Sequence, residues 1–256
     1  MTTAFEETAQ AFRNARQRKK RDFGDDRERF ILPSKEFMAR FVPPDYAVDG
    51  VAQRQFLYSF TGRTGSGKTS VLLRLSAQVA ENQKIAGREV SPGRVIYLAG
   101  ENPDDIRMRW MAMAQRMPFD PDKINVHFIP GRFTLSTMFD RVADEVRDLG
   151  GAVLLIFDTA AVYFEGEDDN SNAQMGEYAR TLRRFTTLAG GPCVIVACHP
   201  TKNATDDRLL PRGGGAFLNE MDGNLVCWQT DGLVQVHWHE KHRGADFSPI
   251  PFKLLP

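Results

Sequence analysis

Gly62-Arg63-Thr64-Gly65-Ser66-Gly67-Lys68-Thr69 fits the pattern GxxxxGK(S/T), and its setting gives the match weight. Residues 56–61 form a short apolar run that ends at the glycine-rich turn and reads as a buried strand. Beyond the turn, Val71, Leu72, Leu75 and Val79 recur at helical spacing over residues 69–81. Strand, glycine-rich loop and helix in that order make an anion cradle. Backbone N–H groups close around a phosphate, and the helix N-terminus adds the positive end of its dipole. Lys68 is placed to reach β- and γ-phosphates, and the Thr69 hydroxyl to ligate Mg²⁺. Gly62, Arg63, Thr64, Gly65, Ser66, Gly67, Lys68, Thr69 and Ser70 are therefore expected to bind ATP with Mg²⁺.

Outward from the cradle the chain alternates. Strand patterns over residues 94–99, 125–129, 153–157 and 193–198 are separated by helical patterns over 104–117, 135–149 and 172–189. Residues 153–157 are uniformly apolar, as a strand buried on both faces should be. These signals predict an α/β fold with a mostly parallel sheet sandwiched by helices. The last third differs. Residues 225–228, 233–240 and 247–254 have strand periodicity with no helix between them, and Thr230-Asp231-Gly232 reads as a hairpin turn. The sheet is expected to finish in antiparallel strands.

A triphosphate cradle needs a carboxylate that holds Mg²⁺ through water, and Asp158 closes the apolar strand Val153-Leu154-Leu155-Ile156-Phe157. Hydrolysis also needs a group that orients water. Thr159 follows Asp158, so no second carboxylate stands beside it, and Glu101 takes the role from just past the strand of residues 94–99. Both acids fall at C-terminal strand ends, the edge where α/β sheets bind ligands. The plainer reading of Glu101 is a cap on the following helix. His199 ends the strand of residues 193–198 on that same edge and is a candidate sensor of the γ-phosphate, or else an ordinary loop histidine. The loop after it carries Lys202, Arg208 and Arg212 into Gly213-Gly214-Gly215 and reads as long, charged and mobile. Lys241-His242-Arg243-Gly244 supplies cations able to act on a neighbour's nucleotide, or forms a solvated turn.

Composition bounds the rest. The 256 residues are 42% apolar and 26% charged, ordinary for a chain with a real core. Its 33 basic and 33 acidic residues cancel, so no global field draws it to nucleic acid or membrane, and any DNA contact must be local. No run reaches the roughly 20 apolar residues that span a bilayer. The polar, acidic first ten residues do not read as a secretory signal, which leads us to expect a cytoplasmic protein with no membrane partner. Cys193, Cys198 and Cys227 lie in apolar runs with no CxxC pair and read as small buried hydrophobes. Residues 1–40 read as an arm, with Phe5, Ala9, Phe12 and Ala15 at helical spacing before a basic and then an acidic run. Pro43-Pro44 marks the hinge, and residues 41–256 form the main domain.

The ordered set of motifs resembles the RecA-like P-loop ATPases, most closely the RepA-type hexameric helicases of plasmids and their phage relatives. The matching stretches are Phe41-Val42-Pro43-Pro44-Asp45-Tyr46, the P-loop, residues 95–103, the Asp158 strand, His199 with Lys202, Arg212-Gly213-Gly214 and Lys241-His242-Arg243. The resemblance implies that Glu101 is the catalytic base and His199 the γ-phosphate sensor. It implies that Arg212 or Arg243 is an arginine finger acting across a ring interface beside Lys241. It also implies a homo-oligomer that moves single-stranded DNA through a channel lined by the loops after Asp158 and His199.

One of those loops departs from that pattern. Glu165-Gly166-Glu167-Asp168-Asp169-Asn170 is acidic and repels phosphate, and neither loop carries a stacking aromatic, Phe217 lying only at the margin of the second. Two rivals follow. One is a recombination or annealing protein whose ATP-controlled filament coats DNA, for which Phe12-Arg13-Asn14-Ala15 resembles a subunit tether. The other is a switch ATPase with a protein partner and no DNA, which the acidic loop favours.

Overall fold

The computed structural model describes residues 31–254 apart from 206, 207 and 231. The chain divides into two units, Met1–Asp45 and Tyr46–Pro256. The described part of the first holds one short helix, α1 (Ser34–Ala39). The helical spacing from Phe5, the charged runs and the tether-like Phe12-Arg13-Asn14-Ala15 lie outside the described residues.

The second unit opens with a small antiparallel pair, β1 (Tyr46–Val48) and β2 (Ala52–Gln53). The main sheet contains β3 (Leu57–Thr61), β4 (Val95–Ala99), β5 (Val126–Pro130), β6 (Leu154–Asp158), β7 (Cys193–Cys198), β8 (Gly223–Thr230), β9 (Leu233–His242) and β10 (Ile250–Lys253). Their spatial order is β10-β9-β8-β3-β7-β6-β4-β5. From β8 to β5 every pairing is parallel. β9 and β10 add antiparallel strands, and Thr230 sits opposite Leu233 where β8 turns into β9. The expected α/β architecture with antiparallel C-terminal strands is the one the chain adopts.

Every residue of β3, β4, β6 and β7 is buried, because helices cover both faces. Side chains alternate between two apolar layers. Leu154 and Ile156 enter one with Tyr58, Phe60 and Tyr97, while Leu155 and Phe157 enter the other with Leu57 and Leu98. Helix α2 (Lys68–Ala80) packs its Leu72, Leu73 and Leu75 into the first layer, and α3 (Pro103–Arg116) adds Ile106. Helices α4 (Leu135–Asp148) and α6 (Asn172–Arg184) fill the second through Leu135, Val142, Val146, Tyr178 and Leu182. Phe157, fully buried between Tyr163 and Phe185, exemplifies the stakes: truncation to Ala costs about 3–5 kcal/mol.

Two elements differ from expectation. Helix α5 (Ala160–Tyr163) follows β6 directly. The stretch read as one long loop after His199 is instead a small hairpin followed by a helix. The hairpin is closed by antiparallel bridges Pro200↔Pro211 and Thr205↔Arg208, and α7 (Gly214–Glu220) follows it. Gly213 precedes that helix at φ +114°, a left-handed backbone in which any side chain is strained, and a Cβ there would also have to push the Met175 methyl aside. All three cysteines are buried and unbridged. Among the described residues no helix is long and apolar enough to cross a membrane.

Candidate nucleotide-binding site

Strand register explains why distant motifs converge. β3 pairs with β7 so that Thr61 faces Cys198, which places Gly62 and His199 side by side at the sheet edge. β4 pairs with β6 so that Ala99 faces Asp158. Two backbone bonds then pin the turn after β4, since Gly100 and Glu101 both donate N–H to the Asp158 carbonyl, at 2.9 and 3.3 Å. The result is a cleft of about 290 Å³ whose walls include Thr64, Gly65, Gly67, Lys68, Thr69, Ser70, Glu101, Asp158 and His199.

Within the P-loop, Gly67 takes φ +88° at the start of α2, a left-handed turn that glycine adopts without steric cost. The Lys68 ammonium donates to the carbonyls of Gly62 at 2.7 Å and Arg63 at 3.0 Å. Burial lowers its pKa, so a phosphate anion in the cleft would favour its charged form. Not all the P-loop residues face the cleft. Ser66 is buried against the Cys227 thiol, and the Arg63 guanidinium donates to the Ala204 carbonyl at 2.7 Å, on the hairpin after His199.

Asp158 is 3% exposed. Its Oδ2 accepts from Thr69 Oγ1 at 2.9 Å and from the Tyr97 hydroxyl at 2.7 Å. Burial pushes its pKa up, and those two hydrogen bonds pull it back. A buried carboxylate beside a hydroxyl is an oxygen donor set suited to a hard cation such as Mg²⁺. Glu101 is exposed at the rim and is not the helix cap. Asn102 caps α3, its side chain accepting from the Asp105 N–H at 3.1 Å. The His199 imidazole is half-buried, and burial together with Lys68 lowers its pKa, which keeps it neutral near pH 7.

Arg212 lies further out. Its N–H donates to the His199 carbonyl at 2.9 Å, and its guanidinium pairs with Asp169 at 3.3 Å. Lys241 and Arg243 do not join the cleft. Gly223, at the start of β8, faces His242 on β9, which puts both cations at the sheet edge opposite the P-loop. There Lys241 Nζ donates to the carbonyls of Leu218 and Asn219, and Arg243 bonds to buried Asp222 at 2.8 Å.

Two residues of the site escaped the sequence reading, Tyr97 behind Asp158 and Arg109 in the cleft wall. Tyr97 is fully buried, and its placement follows from the β4–β6 register. Arg109 sits two turns into α3, bonded to Asp105 at 2.7 Å and to the Ser70 hydroxyl at 3.3 Å. Its only sequence signal is a cation two helical turns beyond Glu101. A largely apolar cleft of about 220 Å³ shares Ser70, Arg109 and Leu254 with this one and has Met113, Met117 and Phe252 in its walls.

The acidic segment after β6 is folded down. Glu165 accepts from both the N–H and the hydroxyl of Ser136 at the start of α4, and Gln174 Oε1 accepts from the N–H groups of Glu167 and Asp168. Phe217 is fully buried and stacks on Tyr178, so it offers no face to a base.

Residues 21–205 match the model of a family described as the AAA domain, well over half of the chain. No curated protein matches. Among 545 matching solved chains is one described as an ATPase domain. It superposes with a TM-score of 0.59 at 13% identity, covering 77% of this chain and 81% of that one. So distant a likeness speaks to the fold alone.

Proposed function

The chain belongs to the AAA domain family, and on that premise we propose that it is an oligomeric RecA-like ATPase that binds and hydrolyses Mg-ATP to drive movement on single-stranded DNA, in the manner of a RepA-type helicase. The observation that carries the ATPase reading is the convergence of Lys68, Thr69, Glu101, Asp158 and His199 on one cleft. The P-loop N–H groups and Lys68 hold the phosphates. The nucleoside extends past Ser70 into the apolar cleft, with Arg109 at the junction. Thr69 and Asp158 would hold Mg²⁺, which when bound neutralises phosphate charge. The Thr69 and Tyr97 hydroxyls both bond to Oδ2 of Asp158, so Oδ1 would be the oxygen left for the cation.

Glu101 orients the attacking water and takes its proton. His199, neutral and beside Lys68, senses the γ-phosphate. Its carbonyl is bonded to the Arg212 N–H, so its movement is passed to the hairpin behind it. Lys241 and Arg243 act on a neighbouring subunit's nucleotide, because their own cleft is across the sheet. Arg212 is the alternative finger.

The test is steady-state ATP hydrolysis with and without single-stranded DNA, with Lys68→Ala as the blank. Strong stimulation supports the motor. Turnover indifferent to DNA favours the second reading, a switch ATPase with a protein partner, toward which the acidic loop held by Ser136 and Gln174 points. No turnover above the Lys68→Ala blank overturns both.

A further inference from the structure

A third cleft, of about 380 Å³, shares Thr64 and Gly65 with the phosphate cleft and is walled by Arg63, Trp228, Gln229 and Thr230. Trp228 is out of place for a core residue. It stands near the end of β8, half-buried, and belongs to none of the apolar clusters of the sheet. Its ring instead stacks on His239, with centroids 6.0 Å apart and planes at 27°. His239 is itself fixed, since its Nδ1 accepts from the Leu209 N–H at 3.3 Å. The Leu209 carbonyl accepts in turn from fully buried Asn224 at 2.8 Å. The indole is thus a rigid aromatic face backed by a second ring, at the sheet edge that binds phosphate.

The remaining walls suit one ligand chemistry. Arg63 supplies a cation, steadied by the Ala204 carbonyl, while Gln229 and Thr230 are exposed and offer an amide and a hydroxyl. No carboxylate lines the cleft among the described residues, and the nearby Glu240 is paired with Arg208 at 2.8 Å. This is the reverse of the acidic loop after β6. We propose that the cleft takes an unstacked base of single-stranded DNA, lying on Trp228 with Arg63 toward the strand's backbone. Aromatic stacking is tolerant of sequence and needs little net charge, which fits a chain whose formal charge is zero. The inference rests on the DNA reading above and locates its contact away from the loop expected to carry it. Because Thr64 and Gly65 wall both clefts, a base held here presses on the same turn that holds the phosphates.

The experiment is fluorescence anisotropy of the full chain, with a non-hydrolysable ATP analogue, on labelled oligo-dT and on an abasic oligomer of equal length. Wild type should bind oligo-dT roughly tenfold more tightly than the abasic strand. Trp228→Leu, which fills the space without a π face, should erase that preference, and Trp228→Phe should restore most of it. If Trp228→Leu keeps the full preference, the stacking site is wrong while the DNA reading stands. If wild type binds neither strand, both fall. Displacement of oligo-dT by micromolar dTMP would assign the cleft to a free nucleotide and overturn the strand proposal.

Discussion

The Tyr97 hydroxyl donates to Asp158 Oδ2 at 2.7 Å from a side chain wholly enclosed by the sheet and its helices. Burial and the neighbouring carboxylate hold the phenol well above its ordinary pKa, so it remains a proton donor at any working pH. It fixes the carboxylate's orientation from behind while Thr69 fixes it from the front. Tyr97→Phe should therefore raise the Mg²⁺ concentration needed for half-maximal nucleotide binding by roughly tenfold. A fluorescent ATP analogue titrated at several Mg²⁺ concentrations measures this, and an unchanged Mg²⁺ requirement would detach Tyr97 from the metal carboxylate.

Lys68 and Glu101 should separate binding from chemistry. Lys68→Ala removes the buried ammonium and should weaken nucleotide binding. Glu101→Gln keeps the rim's shape and should leave binding unchanged while lowering turnover by about 100-fold or more. Single-turnover hydrolysis beside equilibrium binding distinguishes the two, and near-normal turnover in Glu101→Gln would move the base elsewhere.

Asp222 organises the far edge of the sheet. Its carboxylate, 2% exposed, accepts from the Leu57 N–H at 2.9 Å, from Arg183 at 2.9 Å and from Arg243 at 2.8 Å. Asp222→Asn should cost about 2 kcal/mol or more, read as a lower urea midpoint, because the charge that holds two guanidinium groups is gone. Arg243→Ala should be milder in stability and lower turnover without weakening nucleotide binding. Mixed with Glu101→Gln subunits it should regain some activity, since each kind supplies what the other lacks across an interface. An inactive mixture would argue against Arg243 as a finger.

His242 makes stability depend on pH. Its ring packs between Trp238, Phe247 and Tyr58, with His237 and Asp246 as nearby titrating groups, and burial lowers its pKa from 6.5. The unfolded chain thus binds more protons at this site as pH falls. The contribution is complete above about pH 6.5 and is lost as pH falls below that value toward the folded pKa. Urea midpoints between pH 5 and 8 should fall on acidification in wild type and fall less in His242→Phe. Part of the slope should remain, because burial also depresses His127 and His199. Equal slopes would remove His242 from the account.

Much of the fold was legible because burial on both faces leaves an uninterrupted apolar run, as in Leu154-Leu155-Ile156-Phe157, and covering helices leave a 3.6-residue rhythm, as in α2. What escaped was too short for a rhythm. β1 and β2 span three and two residues, and α5 only four. α7 was hidden because its glycines read as loop, while a single buried anchor, Phe217, ties it down. In the site, Lys68 and Thr69 were marked by a motif, and Asp158 and His199 by strand ends. Tyr97 and Arg109 carry no such mark, since register and helix crossing alone bring them to Asp158 and Ser70. Lys241 and Arg243 were visible as cations, but nothing in the sequence tied Arg243 to Asp222.

The strand that carries Lys68's loop and the strand that ends in Asp158 never touch, for β7 runs between them. Two inter-strand steps of about 4.8 Å set the aperture of the phosphate cleft. β7 thus acts as a spacer gauge, tuning how wide the cleft stands without offering a side chain of its own to the ligand. Its Ala197, fully buried in the layer beneath α2, is where an added methyl group would jam that gauge. The mouth of the cleft would change while every residue that lines it stayed the same.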